Sequence, residues 1–172
     1  MDIFDVFSRR HSVRAFTDQP VTGEALQKIF EAVNRAPSAG NLQAFHIYQV
    51  TKAKYREALM HAADDQEYLG QAPVVLVFCA VPERSALRYN DRGETLYCIQ
   101  DATIACTFAM LAATALGLGS VWVGAFDEEA VAKVICAEPG HRPVAMLLIG
   151  YRNEEPRIRT RRKLDEIVHL VE

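Results

Sequence analysis

The stretch Arg9-Arg10-His11-Ser12-Val13-Arg14 places three guanidiniums, an imidazole and a hydroxyl within six positions, directly after the short apolar segment Ile3-Phe4-Asp5-Val6-Phe7. A second basic run, Arg157-Ile158-Arg159-Thr160-Arg161-Arg162-Lys163, lies near the other end. Arginine forks grip phosphate bidentately and keep their charge at any useful pH. In a chain of net charge −3, arginine gathered at both ends suits one small anionic ligand and argues against a general nucleic-acid binder.

Other chemistry is sparse. There is no GxSxG elbow, Walker loop or GxGxxG, and Gly117-Leu118-Gly119 lacks a third glycine and follows a helical pattern. His11, His46, His61, His141 and His169 are not at ligand or triad spacings. Neither the four cysteines, Cys79, Cys98, Cys106 and Cys136, nor any Cys/His pair suggests a metal site, and Cys79 and Cys106 sit in apolar runs as buried thiols do. Adjacent carboxylates at Asp64-Asp65 and Glu128-Glu129 diverge on a helix and read as solvated surface. No side chain is therefore expected to act as catalytic nucleophile, acid or base, and no metal is expected. What remains is a set of donor-rich polar positions between apolar elements, the composition of a site that leaves its chemistry to a cofactor. Arg10, His11, Ser12 and Arg14 can hold a phosphate and neighbouring hydroxyls. Asn41 and Gln43 both donate and accept, as a flavin's pyrimidine edge requires. Gly124, just past an apolar run, lets bare backbone approach a ring. Together these fit FMN.

The elements that must carry these residues follow from periodicity and caps. Asp2 can cap a short helix to Arg9, and Thr22 a second, with Leu26, Ile29, Phe30 and Val33 on one face. Pro37 ends it, and 37–44 is a small-residue loop. Residues 45–51 alternate as a strand, 52–62 and 65–70 read as helices, and 74–79 as a strand buried on both faces. Residues 94–116 form the longest helix, apolar nearly all round, which implies a central core or subunit interface. Gly117 and Gly119 stop it; 120–123 is a strand, Asp127 caps a helix over 128–136, and 144–150 is a last buried strand. A polar tail, 152–163, precedes the amphipathic end Leu164 to Val171. At 172 residues the chain is expected to form one domain, 1–172, with a mixed sheet covered by helices on both faces. With no leader pattern and no apolar run long enough for a bilayer, a cytoplasmic protein without membrane partners is expected.

Four motifs in order give the chain a family resemblance: Arg9 to Phe16, Ala36-Pro37-Ser38-Ala39-Gly40-Asn41-Leu42-Gln43, Tyr97 to Ala102 leading into Ala115 to Phe126, and Leu148-Ile149-Gly150-Tyr151 with the basic tail. In these the chain resembles the nitroreductase-like FMN oxidoreductases, end to end. The resemblance implies an α+β sandwich forming an intertwined homodimer, with the C-terminal tail reaching across the partner and two FMN sites at the interface. It implies that Arg10, His11, Ser12 and Arg14 line the FMN phosphate, ribityl and pyrimidine region, that Arg159 and Arg161 complete the phosphate grip, and that Pro37, Ser38, Asn41 and Gln43 come from the other subunit. It further implies that Gly124 and Ala125 face flavin N5 and that Gln66 is the polar residue before the second strand. Arg9, Arg157 and Arg162 are left to solvent. The chain departs from longer members in lacking lid insertions, in His46 where arginine is common, and in Lys163 where proline is frequent.

The activity so implied is ping-pong hydride transfer from NADH or NADPH, through the flavin, to a nitroaromatic or quinone-like acceptor. A dehalogenating or flavin-fragmenting relative, a flavin-binding module without turnover, a small nucleic-acid binder and an interaction protein built on the apolar helix are the alternatives.

Overall fold

Asp2 accepts the Phe4 N–H while the Asp5 carboxylate takes the Asp2 N–H, a reciprocal cap that starts helix α1 (Ile3–Arg9). Thr22 accepts the Ala25 N–H at 3.2 Å to start α2 (Gly23–Val33), and Asp127 that of Ala130 at 3.0 Å to start α7 (Glu128–Val134). All three caps stand where the sequence places them. The computed structural model describes residues 2–157 and 159–172. The remaining elements are β1 (Phe45–Val50), α3 (Ala53–His61), α4 (Tyr68–Gln71), β2 (Val74–Ala80), α5 (Pro82–Arg92), α6 (Cys98–Ala115), β3 (Gly119–Val123) and β4 (Arg142–Gly150).

The strands form one sheet in the order β1-β2-β4-β3. Every residue of β2 is buried, and alternation along it divides the core. Val74, Leu76 and Phe78 join Leu147 and Ile149 under α2 and α6; Val75, Val77 and Cys79 join Met146 and Leu148 under α3, α4 and α7. The sheet is thus sandwiched by helices, an α+β architecture as expected. The expected mixed sheet is refined: among the described residues all three strand pairings are antiparallel, and parallel pairing is confined to a single bridge, Ser12 to Ser120. Cys79 and Cys106 are buried, and burial pushes the Cys79 thiol up to about 12.

The long helix expected over 94–116 is different in detail. α6 begins only at Cys98, behind a wide π turn at Gly93–Tyr97, and α5 fills a stretch to which the sequence assigned no element. Pro82 at the first helical position starts α5 where a missing N–H costs nothing. A Cβ on Gly93 would lie 2.5 Å from the Ser85 carbonyl oxygen, so only glycine lets the turn pack against α5. The helical run Pro82–Ala115 is, by length and composition, long and apolar enough to cross a bilayer, against expectation. In this fold its second half lies on the sheet, with Ala102, Ala105, Cys106, Ala109 and Ala113 buried. The helix expected over 65–70 contracts to α4, and the C-terminal end holds one short turn, Leu164–Glu166.

Candidate functional site

Val13 is fully buried, and it anchors the first basic stretch. Its N–H donates to the Ser120 carbonyl at 2.9 Å, and Gly119 offers bare Cα: a Cβ there would meet Val13 at 2.8 Å. On the other side the Thr17 N–H donates to Tyr151 O, the Asn153 N–H to Ala15 O, and the Arg14 N–H to the Glu154 carboxylate. Residues 12–17 are therefore clamped between the start of β3 and the chain leaving β4. The tail then turns back, and a cleft of about 780 Å³ opens between the two basic runs.

Arg10, His11, Ser12, Arg14, Arg159 and Arg161 all line this cleft, so six expected site residues meet although about 150 positions separate the runs. Arg9 and Arg157, expected in solvent, line it too, though both are exposed. Arg152 was missed altogether; a lone arginine after a strand carries no signal of its own. Arg162 instead pairs with Glu166 at 3.2 Å. Against this positive charge stands Glu154, 4.0 Å from Arg157.

His11 donates its Nδ1–H to the Arg9 carbonyl at 2.8 Å. A carbonyl only accepts, so Nδ1 carries the proton, and in the neutral ring Nε2 is left as the acceptor. That Nε2 is buried and has no hydrogen-bond partner. A buried acceptor without a donor costs free energy, and in the wall of a cleft it is the mark of a ligand group that donates.

Gln66 reaches the 124–125 turn. Its Nε2 donates to Ala63 O at 2.9 Å and Ala125 O at 3.1 Å, while its Oε1 accepts from the Tyr68 hydroxyl. The Arg14 guanidinium leans over the Tyr68 ring, 5.8 Å from its centroid. A continuous run, Arg14–Tyr68–Gln66–Ala125, thus links the cleft to the exposed Gly124 and Ala125.

The second group stands apart. Pro37, Ser38, Asn41 and Gln43 do not line the arginine cleft; Gln43 lines a hollow of about 320 Å³ with Asn34, His46 and Arg84. Their loop is held in an unusual backbone: Gly40, Asn41 and Gln43 have φ of 55°, 56° and 48°, a region that non-glycine residues rarely occupy. Four hydrogen bonds explain how it persists. Asp101, 2% exposed, accepts the Ala39 N–H at 2.9 Å and the Ala44 N–H at 3.3 Å, bracketing the loop. Ser38 Oγ accepts the Gln43 N–H at 2.9 Å, and the Gln43 amide donates to Asn34 at 3.1 Å. Asp101 escaped the sequence reading because one carboxylate in an apolar helix shows no spacing; the contrast with its neighbours was the only sign.

A family model described as the Nitroreductase family matches residues 7–68 and 61–151, two overlapping stretches. The FMN reductase [NAD(P)H] of Bacillus subtilis is 33% identical over 135 residues, covering 72% of this chain and 54% of that protein. The NADPH-flavin oxidoreductase of Vibrio harveyi is 30% identical over 165 residues, covering 92% of this chain and 69% of that one. Among solved structures, the NADPH:FMN oxidoreductase of Vibrio harveyi complexed with NAD+ matches with a TM-score of 0.90 at 27% identity, covering 99% of this chain and 77% of that chain. The chain thus spans about half to two thirds of the length of these curated relatives.

Proposed function

The chain belongs to the nitroreductase family, and from that premise we propose that it is an FMN-dependent NAD(P)H oxidoreductase working as a homodimer, cytoplasmic, with two FMN sites at the interface. The observation that carries the cofactor is the cleft itself: clustered guanidiniums beside the unpartnered acceptor of His11. Arg10, Arg14, Arg159 and Arg161 neutralise a phosphate, and His11 Nε2 takes a hydrogen bond from a sugar hydroxyl. Ser12 adds a hydroxyl to the same wall. When bound, FMN would supply the redox chemistry, a ping-pong hydride transfer through N5 between NADH or NADPH and a nitroaromatic or quinone-like acceptor.

The chain's own part is orientation and electrostatics. Both ends of the Gln66 amide are already engaged, so Gln66 holds the Gly124–Ala125 backbone in place for the ring. Pro37, Ser38, Asn41 and Gln43 complete the site from the second protomer, which accounts for their distance from the cleft in one chain. The exposed apolar end at Leu164, Ile167, Val168 and Leu170 reaches across the partner. An absorbance spectrum of purified protein tests the reading. A flavin band that bleaches with NADH or NADPH and returns with menadione supports it; a colourless protein that does not take up added FMN overturns it.

A further inference from the structure

Helix α5 flanks the loop that carries Asn41 and Gln43, and it presents two arginines to it. Arg84 and Arg88 lie four residues apart, on one helical face. Arg84 Nε–H donates to the Leu42 carbonyl, and Arg84 lines the 320 Å³ hollow with Asn34, Gln43 and His46. Arg88 reaches the loop two residues earlier: a Cβ added at Gly40 would lie 2.9 Å from its Nη1 and 2.7 Å from the Tyr89 hydroxyl. The Tyr89 ring supports the Arg88 guanidinium, 5.5 Å from its centroid. Arg92, beyond the break in helical geometry at Asn90 (φ 48°), donates to the Tyr97 hydroxyl at 3.0 Å.

Among the described residues no carboxylate lies within ion-pair distance of Arg84 or Arg88, although Glu83 and Asp91 share their helix. The hollow that Arg84 lines has no acidic lining residue either. Two like charges four residues apart on a helix repel, and here each is tied to a loop carbonyl or an aromatic face, not to a counter-ion. Such a pair holds a guanidinium fork ready for an anion that arrives from outside.

We propose that Arg84 and Arg88 bind a phosphate group of the dinucleotide donor, making α5 the element that recognises the donor's non-reacting end. The proposal rests on the oxidoreductase reading, in which the 37–43 loop borders the flavin. It takes no part in gripping FMN, whose phosphate belongs to the arginine cleft, so the two phosphate sites separate cleanly. Either the pyrophosphate or a 2′-phosphate offers the required chemistry, and the donors used in the test tell them apart.

The experiment compares the holoenzyme with Arg84→Ala/Arg88→Ala and with Arg84→Lys/Arg88→Lys, matched for FMN content. Each is assayed with NADPH, NADH and 1-benzyl-1,4-dihydronicotinamide, a donor without phosphate. The readout is kcat/KM for each dinucleotide divided by that for the phosphate-free donor. The alanine pair should lower this ratio by about tenfold or more, the loss of roughly one charge-assisted hydrogen bond, with partial recovery in the lysine pair. A fall confined to NADPH supports the proposal and assigns the 2′-phosphate; a fall for both dinucleotides supports it and assigns the pyrophosphate. Unchanged ratios overturn it, as does an equal loss with all three donors. A yellow wild-type protein inert toward every donor overturns the oxidoreductase reading itself.

Discussion

His11 and Arg14 carry the most specific commitments in the cleft. Arg14→Ala should weaken FMN binding by about 1.5–3 kcal/mol if its guanidinium makes a charged hydrogen bond; a fluorescence titration giving the wild-type dissociation constant would remove it from the site. A second titratable group acts through stability. His141 is held below its ordinary value of 6.5, first by burial and then by His46 stacked on it at 4.4 Å, against the opposing pull of Glu138; Tyr48 meets its Nδ1 at 2.7 Å. The folded state resists protonating this ring, so below pH 6.5 the unfolded chain binds the extra proton. Stability is full above that pH and falls as pH drops toward the lowered folded value. Thermal melts from pH 7.5 to 5 should show the decline, with a shallower slope in His141→Gln; identical slopes would clear this ring of the effect. Side-chain type made the cleft legible at this scale, because arginines near a histidine advertise an anion. Asp101 and Arg152 were silent because neither repeats at any period. The pairing of His141 with His46, 95 positions away, exists only once β1 and β4 are in one sheet.

Elements with an apolar face were legible, and those without one were not. α2 and the sheet-facing part of α6 announced themselves through buried spacing, and the capped starts through Asp2, Thr22 and Asp127. α5 is mostly polar and exposed, so it offered no stripe; only Pro82 marked its start. The π turn behind it depends on a contact between Gly93 and the Ser85 backbone that no local pattern encodes. Gly93→Ala should therefore destabilise the protein by about 1–3 kcal/mol, as overpacking does, since backbone and not a flexible side chain must move. Urea denaturation reads this directly, and an unshifted midpoint would show that α5 and the turn accommodate the methyl freely.

For the whole molecule, the single protomer leaves an unusual amount of apolar surface uncovered. Phe4 is 72% exposed, Leu170 81%, and α6 leaves Ile104, Phe108 and Leu111 only partly covered despite having almost no polar face. Such surface marks association. Sedimentation should give twice the 19.2 kDa chain mass, and a stable monomer with full FMN occupancy would contradict an interfacial site. The apolar helix made an expectation of association legible in the sequence; which residues would meet across such an interface was not, since they share no position along one chain.

The separation of the arginine cleft from the 37–43 loop has a genetic consequence. If each site draws its cleft from one chain and its loop from the other, two defects in different halves need not fall in the same site. Protein carrying Arg14→Ala and protein carrying Gln43→Ala, each impaired alone, would complement when unfolded together and refolded as a mixture. Random pairing would restore about one site in four, because in a twofold dimer each mixed pair concentrates both lesions in one site and leaves the other whole. Two cleft lesions, Arg14→Ala with Arg159→Ala, would never complement, because in every pairing each site inherits one damaged cleft.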